Sequence, residues 1–249
     1  MKILVCENYD KLSEKAAQII MSQITLKSNS ILGLATGSTP IGMYKKLVEM
    51  YENKMIDFSD VKTFNLDEYQ NLPISNDQSY HYFMDDNLFN YINVKRENIH
   101  IPNGMANDIE NECVKYDNLI KEAGGIDIQV LGIGNNAHIG FNEPTVNFEK
   151  KTYVVELEES TKIANARFFN SLDEVPSKAI TMGIGSIFES KKIMLLATGE
   201  NKAKAIYDTI YGKVTPEVPA SILQFHDDLI VILDKEAASL LNPKDYKVV

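Results

Sequence analysis

One loop carries the residue types best suited to moving protons. Gly132-Ile133-Gly134-Asn135-Asn136-Ala137-His138-Ile139-Gly140-Phe141-Asn142-Glu143-Pro144 holds a histidine, a glutamate, three asparagines and three glycines. His138 has the one side chain that ordinarily changes charge near neutral pH. Glu143, five residues on, is placed to orient it or to tune its charge. Gly132 and Gly134 allow sharp turns and a close approach of backbone to a ligand. The loop follows an apolar run over 126–131 that reads as a buried strand. Loops at the carboxyl ends of strands are where open α/β sheets bind small molecules. An isolated histidine in a turn is more often there to satisfy a backbone group. A polar cluster directly after an apolar strand favours a binding loop.

Three further stretches have chemical potential. Asp67 and Glu68 close a strand expected over 61–66, and paired carboxylates there are candidates for proton transfer. The plainer alternative is a helix start, where Asp is common. Thr36-Gly37-Ser38-Thr39-Pro40 breaks a strand expected over 30–35, and Pro40 can begin the next helix because its missing N–H is unneeded there. Strand, hydroxyl-rich turn and helix start together form a phosphate-binding arrangement. The spacing is not that of a P-loop, and a Ser or Thr cap would explain the turn equally well. Lys202 stands near the start of a helix opened by Thr198-Gly199, where a cation opposes the helix dipole and invites a ligand explanation. Arg167 lies on a helix expected over 160–170. His81, Tyr80, Tyr82 and Phe83 read as packing on a short helix over 79–88.

The elements that must position these residues follow from periodicity. Strands are expected over 2–6, 30–35, 61–66, 126–131, 153–157, 179–182, 193–197 and 229–233. Helices are expected over 10–25, from Pro40 through Val48, over 79–88, 107–122 and 160–170, around Lys202 and over 235–241, with a short helix or turn over 220–225. Strands alternating with helices imply an α/β fold, a doubly wound, mainly parallel sheet with helices on both faces. One Rossmann-like domain over 1–249 is the expectation.

Composition narrows the function classes. The net charge is −10 over 249 residues, which argues against nucleic acid as the main partner. An anionic substrate stays possible, since a pocket can be basic on an acidic protein. Cys6 and Cys113 are far apart and belong to no CxxC pair, so neither a disulfide framework nor a zinc site is expected. No apolar run approaches a membrane span. The first six residues read as a strand and not as a signal peptide. A cytoplasmic protein without membrane partners is the expectation.

Several of these stretches occur together, in order. Gly33-Leu34-Ala35-Thr36-Gly37-Ser38-Thr39-Pro40, Asn65-Leu66-Asp67-Glu68-Tyr69, the loop from Gly132 to Pro144, Ala164-Asn165-Ala166-Arg167-Phe168-Phe169 and Thr181-Met182-Gly183 span most of the chain. In this the chain resembles the glucosamine-6-phosphate deaminases of the glucosamine/galactosamine-6-phosphate isomerase family. The related lactonases share a glycine-rich first loop, and the segment from His138 to Pro144 points to the deaminase branch. The resemblance implies opening, isomerisation and deamination of glucosamine 6-phosphate to fructose 6-phosphate and ammonium. It implies His138 as the ring-opening shuttle, Glu143 and Asn136 as its companions, and Asp67 as the base at C2. Phosphate binding would fall to Thr36, Gly37, Ser38 and Thr39 with Arg167 and Lys202, while Gly132 and Gly134 admit the sugar. No cofactor and no metal is implied.

Two departures from the family bear on regulation and tuning. Members often carry Asp where this chain has Asn136. Allosterically activated members place basic residues where this chain has Tyr153 and Val155, and they have a longer C-terminal part. The resemblance is therefore to the short, non-allosteric type, a monomer or small homo-oligomer. Two other readings stay open: a hydrolase like the 6-phosphogluconolactonases, and a sugar-phosphate sensor that binds without turnover.

Overall fold

Side chains that alternate from face to face along continuously buried strands divide the interior into two cores, one on each face of a sheet. The computed structural model describes all residues except 158–161, 163–170 and 172–173. Described strands and helices run in the order β1 (Lys2–Cys6), α1 (Tyr9–Leu26), β2 (Ile31–Leu34), α2 (Ile41–Glu52), β3 (Lys62–Asn65), β4 (Asp67–Tyr69), α3 (Tyr80–Asn87), β5 (Ile99–His100), α4 (Ile109–Ala123), β6 (Ile128–Leu131), β7 (Tyr153–Glu156), β8 (Lys178–Thr181), α5 (Ile184–Phe188), β9 (Ile193–Ala197), α6 (Ala203–Tyr211), β10 (Leu229–Asp234) and β11 (Lys247–Val248). Ile3, Val5, Leu195, Val231 and Leu233 join one core with Tyr116 of α4, Ile187 of α5 and Ile206 of α6. Leu32, Leu34, Met194, Leu196, Ile230 and Ile232 join the other with Leu12 and Ile20 of α1, Leu47 of α2 and Met84 of α3.

The main sheet has eight strands in the order β11-β1-β10-β9-β6-β2-β3-β5, and the registered pairs are all parallel. This is the doubly wound α/β fold expected from the alternation. From β2 the chain winds outward one way through β3 to β5, and from β6 the other way through β9 to β10. The order therefore reverses between β2 and β6. A crevice opens between the loops leaving two such strands, which is the general ligand position of these folds.

The structure adds a second sheet of three antiparallel strands, β4-β8-β7. The chain leaves β3 at Asn65, passes Leu66, and enters this sheet at Asp67. The paired carboxylates therefore lie within a strand of their own and not at the end of β3. Two-residue strands β5 and β11 were too short to register as periodicity. Residues 235–240, expected as a helix, form turns instead, and Asp234 accepts the amide of Ala237 at 2.8 Å. Pro40 occupies the cap and not the first helical position of α2. The helix expected over 160–170 lies outside the described residues.

Candidate active site

The loops after β2 and β6 enclose a cavity of about 400 Å³ at the switch point of the sheet. Its lining includes Thr36, Gly37, Ser38 and Thr39 from the first loop, Gly132, Gly134, Asn136 and His138 from the second, Asp67 from β4 and Lys202. Glu143 stands behind His138 and does not line the cavity. Arg167 and the stretch 164–169 lie outside the described residues. The other residues expected to act on or bind the substrate line this cavity, and Glu68 does not.

The first loop is held in place largely from outside itself. Gly37 has a φ of +90°, a conformation that side-chain-bearing residues rarely adopt. No side chain caps α2, so the expected alternative of a Ser or Thr cap is not realised. The Tyr9 hydroxyl of α1 does that work from outside. It accepts the Gly42 amide at 2.8 Å and donates toward the Ser38 and Thr39 carbonyls at 3.0 and 3.1 Å. Tyr44 of α2 holds the start of the loop, donating to the Ala35 carbonyl at 2.5 Å.

The second loop is a tight knot that fixes the His138 ring. Gly134 donates to the His138 carbonyl at 2.9 Å, and Ala137 donates to the Gly134 carbonyl at 3.0 Å. Ala137 takes the left-handed conformation with φ +66°. A Cβ on Gly134 would come within 2.3 Å of the ring, so only glycine admits the ring where it stands. A Cβ on Gly132 would meet nothing within 4 Å and would project into open space. The buried amide of Asn142 closes the knot, donating to the Ile139 and Met182 carbonyls at 2.9 Å each.

His138 Nδ1 lies 3.1 Å from Glu143 Oε2. An ionised carboxylate only accepts, so Nδ1 carries a proton toward it, and in the neutral ring Nε2 then holds the lone pair. That is the tautomer a general base requires. Asn136 uses both ends of its amide: Nδ2 donates to the same Glu143 oxygen at 2.7 Å, and Oδ1 accepts the His138 amide at 3.3 Å. Here an asparagine supplies a donor to Glu143 where an ionised aspartate could not.

Asp67 and Glu68 are neighbours with opposite fates, because successive strand residues point to opposite sides. Asp67 lines the cavity, and no described residue donates a hydrogen bond to its carboxylate. Burial, with the Glu68 charge beside it, pushes the Asp67 carboxyl up to about 8. Glu68 turns toward α3. It accepts the amides of Tyr69, Tyr80 and His81 at 2.8, 3.0 and 3.0 Å, and His81 Nδ1 lies 2.8 Å from it. Thus His81 is not simple packing, and Tyr80, which the helical pattern assigns to packing, lines the cavity.

Lys202 closes a turn of 3-10 helix at Glu200–Lys202 and caps α6. Asp234 anchors that turn by accepting the Thr198 hydroxyl and the Gly199 amide, the latter at 3.0 Å. Asn201 Nδ2 reaches Asn135 Oδ1 at 3.2 Å, which ties the Lys202 turn to the histidine loop. Sequence patterns gave no signal for Tyr9, Tyr80, Asn201 or Asp234, since each acts across elements distant in the chain.

Comparison with known proteins agrees over the whole length. A family model described as glucosamine-6-phosphate isomerases/6-phosphogluconolactonase matches residues 7–231. A glucosamine-6-phosphate deaminase of Clostridium botulinum is 99% identical over 249 residues, covering 100% of both chains. Another, of Clostridioides difficile, is 67% identical over 249 residues, again covering 100% of both. A solved monomeric glucosamine-6-phosphate deaminase superposes with a TM-score of 0.94 at 46% identity, over 96% of this chain and 100% of that one. A 6-phosphogluconolactonase from Trypanosoma cruzi, at 20% identity and TM-score 0.77 over 97% of both chains, shares the fold. The chain belongs to the glucosamine-6-phosphate isomerase/6-phosphogluconolactonase family.

Proposed function

We propose that this chain converts glucosamine 6-phosphate and water to fructose 6-phosphate and ammonium. One observation carries the reading: a proton-accepting histidine, an isolated carboxylate, a hydroxyl-bearing loop and a lysine line the same cavity. Relatives of high identity carry the same activity in their names.

The chemistry assigns the roles. His138 Nε2 takes the anomeric hydroxyl proton and returns it to the ring oxygen, with Glu143 and Asn136 holding the ring. Asp67 removes the proton from C2 of the open sugar, and a proton is delivered to C1. The proton gained at C1 leaves an imine at C2; water adds to that carbon, and the amino group leaves as ammonia as the C2 ketone forms. Thr36, Gly37, Ser38 and Thr39 hold the phosphate with Lys202 and Arg167, the latter assigned by resemblance alone. Lysine acts there as a point charge and arginine as a fork of donors. Gly132 and Gly134 leave room for the sugar. No step needs a metal or an organic cofactor.

The raised Asp67 carboxyl suits an amino sugar. A base must be ionised before it can act, and the empty cavity favours the neutral acid. An ammonium group at C2 would stabilise the carboxylate beside it and lower that pKa on binding. A lactone brings no such charge.

We also assign the chain to the unregulated type, a monomer or small homo-oligomer of one domain acting in the cytoplasm on a small molecule. Tyr153 and Val155 offer no cation to an activator's phosphate, so kinetics should be hyperbolic and indifferent to N-acetylglucosamine 6-phosphate. Sigmoidal kinetics relieved by that compound would contradict this part. The activity is tested by following ammonium and fructose 6-phosphate on purified protein in a chelator. Turnover of 6-phosphogluconolactone with none of glucosamine 6-phosphate would replace this reading by the lactonase one.

A further inference from the structure

Glu68 makes four hydrogen-bonding contacts yet touches no part of the cavity, and the chemistry above gives it no role. Two of its donors, the amides of Tyr80 and His81, belong to the first turn of α3. Ser79 caps the same turn by accepting the Tyr82 amide at 3.0 Å, so Glu68 is not needed merely to begin the helix. What Glu68 adds is a tie between β4, which carries Asp67, and α3, which carries Tyr80. The Tyr80 ring stacks on Phe141 of the histidine loop, with centroids 6.2 Å apart and planes 10° apart. Its hydroxyl interacts with the side chains of Thr36 and Tyr69. One buried carboxylate thus fixes the wall that joins the base, the hydroxyl loop and the histidine loop.

We propose that Glu68, locked by His81, is a positioning residue for the reaction, holding Asp67 and Tyr80 in register across the cavity while touching no substrate. This rests on the reading of Asp67 as the base at C2. Glu68 also acts on Asp67 through its charge. The other groups near Asp67 are the phenols of Tyr44 from α2, Tyr80 from α3 and Tyr116 from α4, each pushed up by burial and neutral at working pH. Tyr69 shares its strand and is likewise pushed up by burial. His138 and Lys202 line the same cavity. Burial is the main cause of the raised Asp67 carboxyl, and Glu68 is the negative neighbour that adds to it.

Glu68→Gln keeps the size, removes the charge and replaces one accepting oxygen with a donor. The Asp67 carboxyl is followed by ¹³C NMR titration of the ligand-free protein, identified by its loss in Asp67→Asn. The kcat/KM profile on glucosamine 6-phosphate is measured alongside. The expected result is an Asp67 midpoint lower by about one pH unit, a common effect of one nearby charge, with the acid limb moving down equally. An unmoved midpoint and limb, with only a lower melting temperature, would make Glu68 a structural residue and overturn the proposal. Because the titration uses no substrate, a lowered midpoint in a protein that releases no ammonium keeps the coupling of Glu68 to Asp67 and rejects the reaction. Should Glu68→Gln fail to fold, His81→Phe serves, since Glu68 then keeps three backbone donors. Loss of the imidazole N–H leaves the Glu68 charge less compensated whether the imidazole was neutral or cationic, so the Asp67 midpoint rises. No rise would overturn the proposal.

Discussion

His138–Glu143 and His81–Glu68 are two histidine–carboxylate pairs of similar length, 3.1 and 2.8 Å. In each, the glutamate is buried and the histidine about a quarter exposed. They differ in what else holds the carboxylate. Side chains, Asn136 and His138, converge on Glu143 Oε2. Backbone amides from β4 and α3 saturate Glu68. A carboxylate held by amides is fused to the scaffold, and its histidine becomes a lock. A carboxylate held by side chains in a loop at the sheet's switch point presents its histidine to a ligand. The pair itself does not make a site; its remaining partners and its place in the fold do.

Removing the proton-moving groups should separate the pairs most sharply. His138→Gln and Asp67→Asn are each expected to lower kcat by roughly 10²–10⁴, the usual worth of a positioned acid or base. His81→Phe should cost less than about tenfold on the same scale. Exchange of the C2 proton with solvent should vanish only in Asp67→Asn. Equal losses in His81→Phe and His138→Gln would erase the distinction.

Next in size is the space around the ring. Gly134→Ala forces the His138 ring aside, because its Cβ would fall within 2.3 Å. A shift of about 1 Å in a reacting group costs on the order of 10² in rate. Gly132→Ala, with open space around its Cβ, should instead raise KM by filling the cavity. Steady-state kinetics of both variants check this, and a silent Gly134→Ala would remove the argument for ring placement.

Neutralising the two neighbouring carboxylates should change stability with opposite signs. Asp67 has its pKa raised from 3.8 to about 8 in the folded protein. Its contribution is fully present below the ordinary value and is lost as pH rises through the folded one. Asp67→Asn should therefore gain stability over wild type between these limits, by up to about 1.4 kcal/mol per pH unit. Glu68→Gln loses hydrogen bonds to a charged group and should be destabilised by ~2–3 kcal/mol. Denaturant melts from pH 4 to 8, taken as about the Asp67 window, check both signs. In kinetics, the acid limb of kcat/KM should lie near the Asp67 value of about 8, and that of kcat lower, because the bound ammonium ionises the base.

Much of this contrast was legible in the sequence, and part of it was not. The strand-then-loop pattern exposed His138, Glu143, Gly132 and Gly134, because those residues are local to one turn. The hydroxyl loop was legible for the same reason, although its anchor, Tyr9, lies on α1. The Glu68–His81 lock was invisible because it joins a three-residue strand to a helix thirteen positions on. The pattern ran β4 into β3, since one intervening residue, Leu66, leaves no gap in apolar periodicity. Residues 235–240 have helical composition, but the Asp234 carboxylate accepts the Ala237 amide and holds a turn.

The smallest expected effect is in the loop support. Tyr9→Phe removes one acceptor and one donor from the base of the 36–39 loop. A net loss of about 1 kcal/mol corresponds to roughly fivefold in KM, with kcat nearly unchanged. An unaltered KM would separate that loop from phosphate binding.

The central claim is that one cavity brings His138 and Asp67 to bear on a phosphorylated amino sugar. The most direct measurement follows ammonium and fructose 6-phosphate formed from glucosamine 6-phosphate by wild type and Asp67→Asn in the presence of a chelator. The expected result is one ammonium per fructose 6-phosphate from wild type and almost none from a folded Asp67→Asn. Equal ammonium release by the two proteins, or none from wild type, would contradict it.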